Sequence, residues 1–205
     1  MGVMGTGSPA VTEVRLRQFG LTDFQRLIGW IDSYESLVLW AGPAQFRFPL
    51  SMDQLQAYCA ESGGGTPRKR IFAATDEQCE VCGHIELGAI DAINQTATLC
   101  RVMVSPERRG KGLCVPIVRA ALRIGFEEMG LRRIELRVYA HNLSAIRCYE
   151  AAGFVKEGYL RKAQKVGDAL WDTVVMGILR DEWADVIPRD RGKSGICGDP
   201  PPHLC

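Results

Sequence analysis

Residues Arg101 to Cys114 read R-V-M-V-S-P-E-R-R-G-K-G-L-C, and their order decides how the rest of the chain is understood. An apolar, strand-like run ends at Val104, Ser105-Pro106 turns the chain, and a glycine-containing loop opens onto the longest helical pattern, Leu113 to Met129. Strand, glycine-containing turn and helix start together resemble a device for holding phosphate. Gly110 and Gly112 let the backbone approach a ligand and turn tightly, and a helix N-terminus presents unpaired N–H groups with positive dipole character. Arg108, Arg109 and Lys111 add positive charge. Pro116 falls in the first helical turn, where its missing N–H has no intrahelical partner to lose. A plain strand-to-helix connection has the same local pattern, so this segment alone leaves both readings open. The two better-known phosphate loops, G-x-x-x-x-G-K-[ST] and G-x-G-x-x-G, both fail here.

Upstream, Arg70–Thr75, Val81–Ile90 and Thr96–Val104 read as three consecutive strands, with Asp91–Gln95 as a hairpin loop. Before them, Val11–Phe19 alternates as a strand. Thr22-Asp23 offers a cap ahead of Phe24, Leu27, Ile28 and Ile31, and further helices are expected over Ser33–Trp40 and from Ser51 to about Glu61. Ser62–Lys69 is a loop by composition. Downstream, Gly130 is placed to stop the long helix. Arg133–Tyr139 is then a strand, Asn142–Ala152 a helix ending at Gly153, and Phe154–Leu160 and Trp171–Leu179 two more strands. Early hairpins followed by strand–helix–strand alternation predict one α/β domain over residues 11–183, with a mixed sheet of about seven strands and helices on both faces. Residues 1–10 read as a flexible N-terminus and 184–205 as a tail rich in Gly and Pro near its end.

The bulk numbers narrow the function. Across 205 residues, 25 Lys and Arg balance 24 Asp and Glu, which argues against a dedicated nucleic-acid binder. No apolar run is long enough for a membrane span. Met1 to Ala10 has neither the basic nor the apolar part of a secretory signal, so a cytoplasmic protein is expected. Met1-Gly2 with Thr6 fits the short myristoylation pattern, and a flexible glycine-rich start is the simpler reading. Of the 8 cysteines, Cys59, Cys79, Cys82, Cys100, Cys114 and Cys148 fall in expected helices and strands, where Cys is usually a small hydrophobe. Cys79 and Cys82 form one C-x-x-C with no second pair at zinc spacing, so no metal is expected.

Arg109 to Cys114 resembles the [QR]-x-x-G-x-[GA] signature of the GNAT acetyltransferase superfamily, with Arg109 and Gly112 in place and Cys114 where the signature has Gly or Ala. A second block, His141 to Phe154, resembles the GNAT stretch in which Asn is followed seven residues later by Tyr and then by Gly-Phe. Gly83-His84-Ile85-Glu86, Glu157-Gly158 and Trp171 to Met176 are similar to the branch of ribosomal-protein N-terminal acetyltransferases. The resemblance covers about Val11 to Trp183 and is weakest before Arg70.

The resemblance implies an acetyl-CoA-dependent N-acetyltransferase acting on a primary amine, either a small molecule or a protein N-terminus, as a monomer or homodimer. Coenzyme A would lie between two splayed parallel strands. Its pantetheine arm is implied along Val102, Met103 and Val104, and its pyrophosphate on Arg109, Gly110, Lys111, Gly112, Leu113, Cys114 and Val115. A backbone N–H of the splayed strand can polarise the thioester carbonyl. Asn142 either contacts the cofactor, caps its helix, or does both. Tyr149 matches the general acid that protonates the departing thiolate, and on position alone it also reads as a core tyrosine beside Ala145, Ile146 and Ala152. Ala145 stands where some relatives carry a serine, so a serine-based variant is not expected. Glu86 is the first candidate for the base, with His84 on the same strand face; an ordinary polar face and proton loss through water are the alternatives. Trp30, Tyr34, Trp40, Phe46 and Phe48 form either an acceptor pocket or core. A non-catalytic acyl-CoA-binding module of the same fold is the competing function.

Overall fold

The computed structural model describes residues 13–60 and 68–186. The myristoylation pattern and the tail after residue 186 lie outside them. Seven strands, β1 (Arg15–Gln18), β2 (Arg70–Thr75), β3 (Val81–Asp91), β4 (Thr96–Val104), β5 (Arg133–Tyr139), β6 (Val155–Val166) and β7 (Ala169–Leu179), form one sheet in the order β1-β2-β3-β4-β5-β7-β6. Every neighbouring pair is antiparallel except β4 and β5. The mixed α/β sheet expected from the sequence is therefore present.

Helices cover both faces. On one lie α1 (Phe24–Trp30), α2 (Tyr34–Ala41) and α3 (Met52–Ala60); on the other lie α4 (Cys114–Arg123) and α5 (Leu143–Ala152). The alternation of β3 explains the division. Ile85 and Leu87 point into a core shared with Ile117, Val118, Ala121 and Leu122 of α4. Side chains of β2 of opposite parity, Ile71 and Ala73, join Phe24, Leu27, Leu37, Trp40 and Leu55 on the other face. Ser33 caps α2 through the Ser36 N–H, and Gly153 at φ +112° closes α5 in the left-handed conformation expected of a helix-stopping glycine.

Three elements differ from the sequence reading. The long helix ends as one π turn, Ile124–Glu128, before Gly130. The first described strand is the short Arg15–Gln18 rather than a run through Phe19, because Phe19 turns into the helical-face core. The pattern does not announce α6 (Arg180–Val186), a single amphipathic stretch that buries Trp183 against Phe126. No helix among the described residues is long and apolar enough to cross a membrane.

Candidate active site

The site begins where two strands part. β4 and β5 pair only through Thr96↔Arg133, Ala97↔Ile134 and Thr98↔Glu135. Beyond Thr98 the strands separate, which leaves backbone donors and acceptors of Leu99 to Val104 facing a gap on that edge. A β-bulge accompanies the separation: Arg101 and Val102 together stand opposite Ile85, and Arg101 takes φ +50°. The carbonyl of Arg101 is pinned from the helical face, accepting from Trp40 Nε1 at 3.1 Å and hydrogen-bonding His84 Nδ1 at 2.9 Å.

The resulting cleft has a volume of about 310 Å³ and is walled by Thr98–Val102 of β4, Arg137–Tyr139 of β5, Asn142, Ala145 and Tyr149 around α5, and Val38–Gly42 at the end of α2. Gln164 and Thr173 close it from the β6–β7 side. Of the residues expected to bind the cofactor, Val102, Asn142 and Tyr149 line this cleft. Val104 is part-buried against the α4-face core, and Met103 is turned into the core on the α1–α3 face. Asn142 is also the cap of α5, its Oδ1 accepting from the Ala145 N–H at 3.2 Å.

The loop after β4 has the geometry a phosphate needs. Gly110 and Gly112 both sit at φ +76°, where other residues are strained, and a Cβ on either would meet open space. No side chain caps the start of α4, whose N-cap is Leu113, so its first N–H groups are available to a ligand. Arg109, Gly110, Lys111 and Gly112 are exposed, while Leu113 is buried as the anchor of the turn. Coenzyme A fits this donor set: backbone N–H groups at a helix start for phosphate, and an unpaired strand edge for an amide-bearing arm.

One expectation is corrected here. Cys114 and Cys148 are joined as a disulfide with Cα atoms 6.2 Å apart, rather than serving as two separate small hydrophobes. The bond ties the first residue of α4 to the residue before Tyr149. Spacing gave no hint of it, because a sequence separation of 34 says nothing about two helices packed side by side.

Tyr149 belongs to both the core and the cleft wall. It is 9% exposed and packs in the core beside Phe154, and it also lines the cleft. Its hydroxyl makes no hydrogen bond to any described residue. Burial, and then the neighbouring Cys100, push its pKa above the ordinary value, so it stays protonated at neutral pH. Cys100, also in the cleft wall, is pushed up to about 12 by burial and then by Glu86. It is likewise a neutral thiol.

Glu86 is placed differently from the expectation. It is 3% exposed and does not line the cleft; Arg101 Nη1 lies 2.5 Å from its Oε2, and the Tyr58 hydroxyl donates to the same oxygen. Burial and the charge of Glu86 hold the Tyr58 hydroxyl protonated. The Arg101 guanidinium lies over the Tyr58 ring, 5.2 Å from its centroid, and reaches Gln45. His84, on the same face, is fully buried among Phe19, Trp40 and Tyr58. Burial lowers its pKa to about 4, so it is neutral. Sequence reasoning missed Arg101, whose charge within an apolar strand was the available signal, and Cys100, for which there was none. Of the aromatic set, Trp30, Trp40 and Phe46 are core and Tyr34 and Phe48 are exposed, with Trp40 also forming part of the cleft wall.

Residues 34–154 match the sequence pattern of the Acetyltransferase (GNAT) family. The chain belongs to the GNAT family. Probable N-acetyltransferase YjcK of Bacillus subtilis is 32% identical over 180 residues, covering 80% of this chain and 97% of that protein. The spermidine N(1)-acetyltransferase of Vibrio cholerae is 31% identical over 115 residues, covering 56% of this chain and 66% of that protein, just under two thirds of its length. The crystal structure of the Vibrio cholerae spermidine N-acetyltransferase in complex with CoA and spermine superposes with a TM-score of 0.73 at 26% identity, covering 84% of this chain and 98% of that one. As a GNAT protein the chain has its splayed strands and its loop-to-helix turn inside the matched residues. Among the described residues no group of three or more His, Cys, Asp or Glu is arranged to hold a metal.

Proposed function

We propose that this chain is an N-acetyltransferase that moves an acetyl group from acetyl-CoA to a primary amine. The observation that carries the reading is the β4–β5 cleft with a protonated, unpaired tyrosine hydroxyl in its wall, continuous in sequence with a glycine loop at an uncapped helix start. Family membership and the amine acceptor of a relative, spermidine, support the same reaction class. The two sequence blocks also resemble the ribosomal-protein branch, so the acceptor is set at the shared chemistry, a primary amine.

When bound, acetyl-CoA supplies an activated thioester; in the exchange a C–N bond forms, the C–S bond breaks, and one proton passes from nitrogen to sulfur overall. Arg109 to Val115 hold the pyrophosphate, and the free edge of β4 from Leu99 to Val104 orients the arm and polarises the carbonyl. Tyr149 gives its proton to the departing sulfur and regains one from solvent. Glu86 is a positioning residue: it fixes Arg101 and so the bulge that parts the strands. The amine's proton leaves through water.

Release of the CoA thiol, measured over a panel of amines and N-terminal peptides, tests this directly. Amine-dependent release is expected. Tight acetyl-CoA binding without release for any acceptor would assign the fold to a non-catalytic acyl-CoA-binding role instead.

A further inference from the structure

The cleft has an uneven charge inventory. Among the described residues its lining holds two cationic side chains, Arg101 and Arg137, and no Asp or Glu. Arg101 is neutralised by Glu86 and turned into the protein. Arg137 is different. It is exposed on β5 and has no ion pair among the described residues, because the carboxylate two places before it, Glu135, is engaged by Arg133. Arg137 shares a sheet face with Tyr139, which stands opposite Thr173 on β7, so Arg137 and Thr173 are diagonal neighbours across the strand pair. Thr173 is 5% exposed, lines the cleft, and its Oγ1 has no hydrogen-bond partner. A buried hydroxyl without a partner is costly unless a ligand satisfies it.

We propose that the acceptor is an amine that also carries a carboxylate, held at the β5–β7 wall by the Arg137 guanidinium and the Thr173 hydroxyl. The inference rests on the N-acetyltransferase reading and narrows its acceptor. A guanidinium presents paired N–H donors that match a carboxylate, and the hydroxyl adds a third donor beside them. A polycation is disfavoured by the same inventory: the wall offers it one fixed positive charge and no carboxylate. Two sources carry this chemistry, a free amino acid and a peptide N-terminus with an acidic side chain close behind it.

The test compares carboxylates with their amides. Kinetics on 4-aminobutyrate against its amide, and on Ser-Glu amide against Ser-Gln amide, give the preference for each source, with spermidine as the polycation arm. A preference of roughly 10–100-fold in kcat/KM for the carboxylate of one pair is expected, the size of a charge-assisted hydrogen-bonded contact. In Arg137→Gln the carboxylate and its amide become equal substrates, and Thr173→Val lowers the preference partway. Equal use by the wild-type protein, spermidine as the best acceptor, or a preference untouched by Arg137→Gln each overturns the proposal. A raised KM for acetyl-CoA in Arg137→Gln with the preference intact also overturns it, since Arg137 then serves the co-substrate. Calorimetry of the same pairs into CoA-loaded protein reads the preference without turnover. Selective binding of the carboxylate with no acetylation of any amine would sink the transferase reading and leave only a carboxylate-binding site at Arg137 and Thr173, overturning its role in acceptor choice; indifferent binding would sink this proposal alone.

Discussion

At the scale of the residue, the proposed reaction places the proton donor for the departing sulfur on one buried hydroxyl, that of Tyr149. Tyr149→Phe keeps the ring and its packing against Phe154 while removing the proton donor. Turnover should fall by about 10²–10⁴-fold with the KM for acetyl-CoA nearly unchanged, measured where chemistry limits the rate. A variant as fast as the wild type would leave Tyr149 a core residue only. Glu86→Gln tests position against basicity. It leaves the Arg101 charge buried without its partner, so a melting curve should register a loss of about 3–5 kcal/mol. Its pH–rate profile should run parallel to that of the wild type; recovery of rate at high pH would show instead that Glu86 takes the amine's proton. His84 adds a pH dependence. Its folded pKa of about 4 lies below the unfolded value of 6.5, so the unfolded chain binds more protons between these limits. Stability is therefore full above about pH 6.5 and falls as pH drops towards 4, by about 3 kcal/mol in all. Thermal unfolding from pH 7 to pH 4 should show this loss, and His84→Gln should flatten it. The charges and aromatic rings involved were visible in the sequence, but their partners were not, because Tyr58, Glu86 and Arg101 meet only when α3 is laid across β3 and β4.

Among the elements, the turn from β4 into α4 was the most legible. Gly110 and Gly112, the proline within the first turn and the helical pattern after it are all local signals, and the structure places each as expected. Gly112→Asp puts a negative charge and a strained φ where the pyrophosphate is proposed to sit. Calorimetry should find acetyl-CoA binding lost with the fold intact; unchanged affinity would remove the loop from the site. The α4–α5 tether was not legible at all. Reducing Cys114–Cys148 opens a loop across 34 residues, and loop-closure entropy alone gives a loss of about 2–4 kcal/mol. Reduced and oxidised protein should both fold, and the reduced form should melt lower. Identical melting temperatures would mean that packing between α4 and α5 already does the work of the bond.

At the scale of the molecule, the cleft divides the sheet. β1 to β4 on one side and β5 to β7 on the other share three parallel residue pairs, with α4 spanning the join. A ligand lying along both walls should fasten them. Acetyl-CoA at a hundredfold excess over its Kd should stabilise the fold by about 2.7 kcal/mol, and amide exchange should slow at the open ends of both β4 and β5. Slowing on one wall alone would place the ligand outside the cleft.

By itself the sequence determined most of the elements, their order and the family, because hydrophobic periodicity, glycine placement and helix caps are short-range properties written within a few residues of each other; it did not show that the strand from Val155 runs on to Val166. The extra helix over Arg180–Val186 escaped because one turn or two of pattern ends in a polar tail, and its fixing contact, Trp183 on Phe126, is distant in the chain. Only the tertiary structure decided which side chains face the cleft. It turned Glu86 inward onto Arg101, gave Tyr149 both core and cleft, joined Cys114 to Cys148, and placed Arg137 and the Thr173 hydroxyl on the cleft wall without partners among the described residues. The disulfide depends on how α4 packs on α5, whereas the facing of Glu86, Arg101, Arg137 and Thr173 depends on strand register and, for the first two, on the bulge at Arg101. A one-residue change in either reverses which face a side chain occupies, and no local pattern encodes that.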